Sequence, residues 1–253
     1  MVRNKIIAQT TNKDWALLYG IMLGDGCLSC SIGQYSYGIE IVGSYEHDQP
    51  FFAQIVVPAI NKFRSRPIRI LKYPQTGSIK IKIKDKKLFT KFKVAGFPIG
   101  KKGLSLSLPR TFLESKNLLR YIIQGLFATD GSLVLTKNPN KYYPRIEFTS
   151  ISKRLMSQVN EYLSKKGVRG KVYFKKRLNQ RYRHEKDFYR IQINGTKKLL
   201  LFKNKIGFIN PKHIKKFSLF YAYSRRYDNA IKGVSNRKQK FFRIKDLGGV
   251  GEI

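Results

Sequence analysis

Strict alternation of apolar and polar residues is clearest in two short segments, SIKIKIK at residues 78–84 and YRIQIN at residues 189–194. A side-chain period of two places the isoleucines on one face of a β-strand and the polar residues on the other. Both segments are therefore predicted to be strands with one packed face and one polar face. The polar residues that we single out are Lys80, Lys82, Arg190 and Gln192.

Two longer apolar runs end on Asp-Gly and repeat one pattern. They are LLYGIMLGDGCLS, residues 17–29, and IIQGLFATDGSLV, residues 122–134. The aligned acids, Asp25 and Asp130, lie 105 residues apart (130 − 25). Each copy predicts a helix that ends at the acid, then a hairpin, a second helix, a second hairpin and a third helix. A repeat this long indicates two duplicated halves rather than a solenoid.

The boundary between the halves is predicted near LSLSLPRTFLESKN, residues 104–117, where Pro109 interrupts the pattern. The halves are then residues 1–112 and 113–253, and the second ends in a tail that is basic and then glycine-rich. Hairpins separated by helices predict an α+β fold with antiparallel sheets.

Small residues recur at four-residue spacing in both predicted helices. They are Ala16, Gly20 and Gly24 in the first helix, and Gly125 and Thr129 in the second. Residues at this spacing form a flat stripe on one helix face. Glycine inside a helix costs about 0.5–1 kcal/mol relative to alanine, which a close approach of two backbones can offset. The two helices are therefore predicted to pack against each other along these stripes.

Net charge indicates the partner of the polar strand faces. The 253 residues include 51 Lys and Arg against 15 Asp and Glu, a net charge of +36. Such an excess opposes compaction unless a polyanion neutralises it, which favours nucleic acid. A membrane surface is the alternative, but the apolar runs are too short to span a bilayer and the basic residues alternate along strands. We predict strand faces that read DNA, with solvated outer faces as the alternative.

Packing along the stripes would bring Asp25 and Asp130 to the same end, where Gly26 and Gly131 are expected to form left-handed C-caps. Two carboxylates about 4 Å apart repel by about 4 kcal/mol at an effective dielectric of about 20, and the negative helix ends add to this. Divalent cations would relieve the repulsion, and oxygen ligands with a phosphate substrate favour magnesium over zinc or calcium. The alternative is that each Asp-Gly pair only ends a helix.

Cysteines and the N-terminus add weaker constraints. Cys27 and Cys30 form one C-x-x-C motif, and with only His47, His184 and His213 as further ligands a zinc site is not favoured. The first fifteen residues contain no apolar run of signal-peptide length. This favours expression from a mitochondrial or chloroplast genome, or in a prokaryotic cytoplasm, over secretion.

Two glutamates occupy matching strand positions, Glu40 in YSYGIEIVGS and Glu147 in YYPRIEFTS. A carboxylate that faces the major groove can accept a hydrogen bond from cytosine N4, and the neighbouring Arg145 is a further base-reading candidate. The alternative for both glutamates is a buried structural role.

The segments LYGIMLGDG and IQGLFATDG resemble the paired signature helices of the LAGLIDADG homing endonucleases, in the single-chain form with two motifs. The length of each half, the strand pattern and the basic composition also fit this family, so the resemblance covers nearly the whole chain. The resemblance implies two pseudo-symmetric αββαββα repeats, with the signature helices at the interface and antiparallel sheets that form a DNA-binding saddle. It further implies a monomer that cuts both strands of double-stranded DNA across the minor groove and leaves short 3′ overhangs.

The resemblance also assigns the metal site. Asp25 and Asp130 would be the metal-binding carboxylates, and Gly24 and Thr129 would contribute carbonyl oxygens. Mg²⁺ is the expected cofactor, with Mn²⁺ able to substitute and Ca²⁺ expected to support binding without cleavage. Thr129 departs from the small Ala or Gly often found before the acid in relatives.

Family members use a basic residue on each side near the scissile phosphate, and the matching segments here are FPIGKKGLS and FINPKHIKK. We select Lys102 and Lys212 from them, with Lys101 and Lys215 as the next candidates. Ordinary phosphate-contacting or solvated lysines are the alternative for each. Many relatives also have a polar residue that positions water near the places of Gly43 and Ser150.

Three functions are compatible with such a chain. The first is a Mg²⁺-dependent, site-specific endonuclease that spreads its own intron or coding element. The second is an RNA maturase that assists splicing of its host intron, and the third is a non-catalytic DNA-binding regulator. Retention of both acids favours the endonuclease.

Overall fold

The computed structural model describes residues 2–31, 36–64, 66–138, 141–176 and 187–236. The first repeat contains α1 (Val2–Asp25), β1 (Gly26–Ser31), β2 (Ser36–Ser44), α2 (Gln49–Phe51), a π-helical turn (Phe52–Val56), α3 (Val57–Asn61), β3 (Leu71–Tyr73), a 3₁₀ turn (Pro74–Thr76), β4 (Ser78–Lys84) and α4 (Lys86–Val94). A short helix, α5 (Arg110–Glu114), connects the repeats. The second repeat contains α6 (Lys116–Asp130), β5 (Gly131–Asn138), β6 (Lys141–Ser150), α7 (Lys153–Lys165), β7 (Lys171–Lys175), β8 (Phe188–Asn194), α8 (Thr196–Lys205) and α9 (Pro211–Asn236).

Each repeat forms one antiparallel sheet, and the two sheets have equivalent strand orders. The order is β1-β2-β4-β3 in the first sheet and β5-β6-β8-β7 in the second. Glu40 lies opposite Lys82 in the first sheet, and Glu147 lies opposite Gln192 in the second. The α+β class and the duplicated units predicted from the sequence are thereby confirmed.

The period-two alternation divides each sheet into an apolar and a polar face. The buried isoleucines are Ile79, Ile81 and Ile83 in β4 and Ile191 and Ile193 in β8. They belong to one hydrophobic core that also contains the inner faces of α1 and α6. The polar side chains of β4 and β8 therefore lie on the face turned away from the helices, as a strand period of two requires.

Helices α1 and α6 pack directly on each other at the centre of the protein. A Cβ atom on Gly20 would lie 2.1 Å from the carbonyl oxygen of Ile122, and one on Gly125 would lie 2.4 Å from that of Leu17. Each glycine thus accommodates a backbone carbonyl of the other helix. The predicted packing of the small-residue stripes is confirmed.

The expectation of left-handed C-caps after the two acids is wrong. Gly131 is extended, with φ −91° and ψ 157°, and Gly26 likewise lacks a positive φ. Glycine is required here for space, because a Cβ would lie 2.6 Å from Cα of Met22 at position 26 and 2.4 Å from the carbonyl oxygen of Phe127 at position 131. The chain therefore runs from each helix straight into a strand.

The connection between the repeats is packed rather than extended. The boundary predicted between residues 112 and 113 lies inside α5, where Phe112 is buried with its ring centroid 5.1 Å from that of Tyr19. Residues 237–253 of the predicted basic tail, and His184, lie outside the described residues. Within the described ranges, none of the helices has the length and hydropathy needed to span a membrane.

Candidate metal and nucleic-acid site

The two signature acids lie side by side. Asp25 is the last residue of α1, and Asp130 is the last residue of α6. A Cβ on Gly24 would lie 2.0 Å from Oγ1 of Thr129 and 3.3 Å from Cγ of Asp130, so the two helix ends are in contact where the acids lie. Both acids are half-buried and interact electrostatically. The structure thus brings together the four residues of the predicted metal site.

Burial and mutual repulsion disfavour the charged form of this pair. Burial, followed by the charges of Asp130 and Asp48, raises the pKa of Asp25 to about 7. Burial also raises the pKa of Asp130, against the opposing effect of Lys102. Two carboxyl groups in this environment favour the protonated form more than free carboxyl groups do, unless another cation takes the place of the proton.

The ammonium group of Lys102 lies beside the two acids, at the end of α1. Its Nζ donates to the carbonyl oxygen of Leu23 at 2.9 Å and also to that of Gly24, in the last turn of α1. The negative end of a helix attracts such an ammonium group. Burial lowers the pKa of Lys102, whereas both acids oppose this shift. Lys101, the neighbouring candidate, is exposed.

The two carbonyl groups predicted as metal ligands differ. The Gly24 carbonyl already accepts a hydrogen bond from Lys102, so a metal ion bound there would compete with the ammonium group for this oxygen. The Thr129 hydroxyl points back along its helix and donates to the carbonyl oxygens of Gly125 at 3.2 Å and Leu126 at 3.0 Å. A ligand role for Thr129 therefore rests on its main-chain oxygen, and both assignments stay predictions.

The donor set suits a hard divalent cation. It consists of two carboxylates with raised pKa values at the negative ends of two helices, together with carbonyl oxygens. Oxygen donors of this kind match Mg²⁺, Ca²⁺ and Mn²⁺. Among the residues that the structure describes, no group of three or more His, Cys, Asp or Glu side chains is placed to hold a metal ion. The two acids would therefore need water or a phosphate to complete the shell.

Lys212 approaches the acids from the second repeat, but through a contact that sequence reasoning missed. Its Nζ lies 2.9 Å from Oδ1 of Asp48, a buried residue of the first repeat, and Asn210 donates to the same oxygen at 3.2 Å. The Asn-Pro pair that begins α9 was the available signal for Asn210. Asp48 gave no signal, because the contact joins residues 164 positions apart. Lys215, the other candidate, is exposed.

His213 is a further residue of this region that no local sequence pattern indicates. It is 2% exposed, and its ring centroid lies 4.7 Å from that of Phe127. Burial, followed by the charges of Lys212 and Lys216, lowers the pKa of His213 to about 3. A hydrogen bond with the backbone of Gly131 opposes this shift. His213 is therefore a neutral imidazole that supports the strand beginning after Asp130.

The glutamate of the first sheet is accessible. Oε1 of Glu40 lies 3.7 Å from Nζ of Lys80 and 3.9 Å from Nζ of Lys82, and its side chain is 34% exposed. Ion pairs this exposed contribute at most about 1 kcal/mol, so the three side chains can exchange partners with a ligand. All three stay candidates for DNA contact.

The glutamate of the second sheet is enclosed by its neighbours. Glu147 is 8% exposed. Its Oε1 accepts a hydrogen bond from Gln192 at 3.0 Å and lies 2.7 Å from Nε of Arg145 and 3.8 Å from a terminal nitrogen of Arg190. The Arg145 contact is an ion pair, because its N–H is not aligned for a hydrogen bond. The structure therefore favours a buried structural role for Glu147. Its carboxylate holds the side chains of the three neighbouring candidates for base contact.

Raising the pH is expected to destabilise the metal-free protein through Asp25. Its raised pKa means that Asp25 contributes stability in full below about pH 4, and this contribution is lost as the pH rises through about 7. His213, with its lowered pKa, has the opposite dependence. Comparison of two variants isolates the contribution of Asp25. The free energy of unfolding of Asp25→Asn, relative to that of the parent, should increase by on the order of 2 kcal/mol between about pH 4.5 and about pH 7.5. Urea unfolding in EDTA measures this difference.

Two controls accompany this measurement. Mg²⁺ should reduce the difference at the higher pH, because a bound cation stabilises the ionised acids. Asp14→Asn changes an acid of the same helix that pairs with Lys62 at 2.8 Å, and it should show no comparable gain. A stability difference between Asp25→Asn and the parent that does not vary with pH would contradict the raised pKa.

Comparison with known protein families agrees with this geometry. Residues 117–207 match the family model described as a LAGLIDADG-like domain. The chain carries a LAGLIDADG-like domain. This domain runs from α6, which ends in Asp130, through α8, and therefore corresponds to the second repeat. No curated protein sequence matches the chain.

Solved structures match the LAGLIDADG-like fold over both repeats. The homing endonuclease I-DmoI in complex with DNA and Ca is 17% identical, with a TM-score of 0.57 over 82% of this chain and 98% of that chain. Its complex with DNA and Mn is 18% identical, with a TM-score of 0.53 over 78% and 97%. The LAGLIDADG meganuclease I-AabMI bound to uncleaved DNA is 14% identical, with a TM-score of 0.50 over 88% and 98%. The fold expected from the sequence resemblance is confirmed.

Proposed function

We propose that this protein is a site-specific DNA endonuclease that hydrolyses phosphodiester bonds on both strands of a long, asymmetric target. The observation that carries this proposal is the pairing of Asp25 and Asp130 at the ends of two packed helices, flanked by sheets with basic polar faces. The structural relatives I-DmoI and I-AabMI were solved with DNA, which supports DNA as the ligand. Two different repeats in one chain suit an asymmetric target and a monomer.

Asp25 and Asp130 would hold the divalent cations, for which we propose Mg²⁺. Bound metal ions activate water and stabilise the leaving oxygen in such sites. The chain itself contributes two carboxylates that ionise when a cation replaces the proton. It also contributes two ammonium groups, since both Lys102 and Lys212 lower the pKa of Asp25. These lysines would neutralise phosphate charge beside the acids.

The polar sheet faces would provide target recognition. Arginine pairs with guanine through two hydrogen bonds, and glutamine pairs with adenine in the same way. Arg145, Arg190 and Gln192 are grouped around Glu147 on the polar face of the second sheet, and we propose that they make such contacts. In the first sheet Lys80, Lys82 and Glu40 would contact the other half of the target. Lysines elsewhere would position the DNA backbone without reading sequence.

A cleavage selection on a randomised or intron-junction DNA library tests the proposal. It is run with Mg²⁺ and again with Ca²⁺, and with Asp25→Asn and Asp130→Asn. Recovery of one long site, cut on both strands by the parent in Mg²⁺ alone, would support the endonuclease. Enrichment of bound DNA without cutting in any metal would overturn it. Tight binding of structured intron RNA by the same protein would then support an RNA maturase.

DNA affinity should fall steeply with salt, because each neutralised phosphate releases counterions. Between about 50 mM and about 200 mM salt we expect a loss of about a thousand-fold, measured by fluorescence anisotropy in Ca²⁺. Lys84→Gln, on the polar face of β4, should reduce the logarithmic slope by about 0.9. Lys205→Gln changes an exposed lysine near the start of α6, at the end opposite the acids, and should leave the slope unchanged. Affinity that barely responds to salt would contradict the charge argument.

A further inference from the structure

Asp48 forms a buried, charged contact between the two repeats. It is 6% exposed, and Oδ1 is 2.9 Å from Nζ of Lys212 and 3.2 Å from Nδ2 of Asn210. Oδ2 accepts the backbone N–H of Ser44 at 3.0 Å. Although burial opposes ionisation, these hydrogen bonds hold the pKa of Asp48 below its usual value. Asp48 is therefore an anion whose two oxygens are both engaged.

Asn210 joins this contact to the signature helix. It is completely buried, and its Nδ2 also donates to the carbonyl oxygen of Ala128 at 2.8 Å, two residues before Asp130. Its Oδ1 accepts the backbone N–H of Lys212 at 3.1 Å. The backbone of Lys212 is therefore fixed by Asn210 and its ammonium group by Asp48.

The same contact lies within electrostatic range of the acid pair. Asp48 and Lys212 both interact with Asp25, with opposite signs. Lys212 has 33% of its side chain exposed, so this lysine is anchored by Asp48 and still accessible to a ligand. A lysine held in this way can reach a phosphate at the acids without losing its position.

The corresponding residue at the start of α7 in the second repeat, Ser152, is uncharged. Ser152 begins α7 as Asp48 begins α2, and its Oγ donates to the carbonyl oxygen of Leu106 at 2.5 Å while it accepts the N–H of Leu155. Lys102 is held by main-chain carbonyls of α1. The two lysines beside the acids are thus anchored by different means.

A role for Asp48 in capping its own helix does not account for these contacts. Asp48 precedes α2, but its side chain makes no capping hydrogen bond to that helix. Nor does stability alone account for them, since buried ion pairs contribute little net stability compared with apolar residues of similar size. Oδ1 of Asp48 contacts only Asn210 and Lys212 at the start of α9, while Oδ2 accepts the N–H of Ser44 in its own repeat.

We propose that Asp48, together with Asn210, positions Lys212 for one of the two strand cleavages, so that the two strands depend on differently supported lysines. This inference rests on the proposed function. Asp48 is a positioning residue, because its oxygens are used by Ser44, Asn210 and Lys212. Its removal should slow the strand that depends on Lys212 and spare the strand that depends on Lys102.

Strand-resolved cleavage tests this proposal. The substrate is a linear duplex that carries the site recovered by the selection, with a different fluorophore on each strand, cut under single-turnover conditions. Asp48→Ala should slow one strand by about 10-fold to 100-fold, and Lys212→Met should slow the same strand. Lys102→Met should slow the other strand. Asp48→Ala added to Lys212→Met should have no further effect on that strand.

Ser152→Ala is the matched control, because it removes the equivalent contact of the other repeat. It should leave the ratio of the two strand rates unchanged. Equal slowing of both strands by Asp48→Ala would overturn the proposal, as would full additivity with Lys212→Met. Cleavage of neither strand by the parent would instead refute the proposed function.

A second readout needs no DNA. In brief labelling of the free protein with an amine-acylating reagent, mapped by mass spectrometry, Asp48→Ala should increase modification of Lys212 several-fold relative to Lys102. The Ser152→Ala control should not. Unchanged labelling of Lys212 would show that Asp48 does not hold the ammonium group, whatever the outcome with DNA.

Discussion

With Asp25→Asn, double-strand cleavage is expected to fall at least about a thousand-fold, while DNA affinity changes by less than about tenfold. The amide is nearly the same size as the carboxyl group but cannot supply the negative charge that we propose holds a divalent cation beside Asp130. The proposed base and phosphate contacts lie on the sheets, so binding should persist. Single-turnover rates in Mg²⁺ and binding curves in Ca²⁺ measure the two effects separately.

Asp14→Asn provides the control for this experiment, because it makes the same chemical change in the same helix, at an acid that pairs with Lys62. It should retain both activities. Asp130→Asn should match Asp25→Asn in its loss of cleavage, since the two acids form one site. Continued cutting of both strands by Asp25→Asn would refute the assignment of Asp25 as a metal ligand.

Gly20→Ala should strongly destabilise the protein. The added methyl group would lie 2.1 Å from the carbonyl oxygen of Ile122, and neither backbone can move without separating the signature helices. Overpacking of a core usually costs about 1–3 kcal/mol, and a clash between two backbones belongs at or above the upper end of that range. Urea unfolding monitored by circular dichroism, at fixed pH and salt, measures the loss.

Gly103→Ala serves as the matched control. Gly103 does not have a positive φ, and the nearest atom to an added Cβ is Oγ of Ser105, at 3.9 Å. The free energy of unfolding of the Gly103→Ala variant should stay within about 0.5 kcal/mol of that of the parent. Gly20→Ala with parental stability would mean that the two helices do not pack as closely as described.

Sequence predicted the parts of this protein that depend on periodic patterns. The alternation in β4 and β8 determined which residues face the core, and the duplicated small-residue spacing determined which helices pack together. Asp25 and Asp130 followed from that packing, because two helices that pack in parallel end at the same place. Local pattern and tertiary structure agree at these positions, as is usual for a well-defined fold.

Sequence did not predict the contacts that join distant segments through single side chains. Asp48 and Asn210 meet across 162 positions, and no local pattern indicates such a pair. Glu40 and Glu147 occupy equivalent strand positions, yet their exposure differs because one has lysine neighbours and the other has two arginines and a glutamine. The error at Gly26 and Gly131 has a similar origin. A left-handed cap was inferred from glycine alone, whereas the neighbouring helix turn requires the space.

The reciprocal contacts of Gly20 and Gly125 also determine how far one helix can slide along the other. Each glycine accommodates a carbonyl group of the opposite helix, so a slide of one helix along the other would break both contacts at once. The separation of Asp25 and Asp130 is therefore determined by main-chain atoms and not by the side chains of the sheets. Residues on the polar faces can change while the spacing between the two acids stays constant, so under the proposed function the preferred DNA sequence could vary without moving the acids.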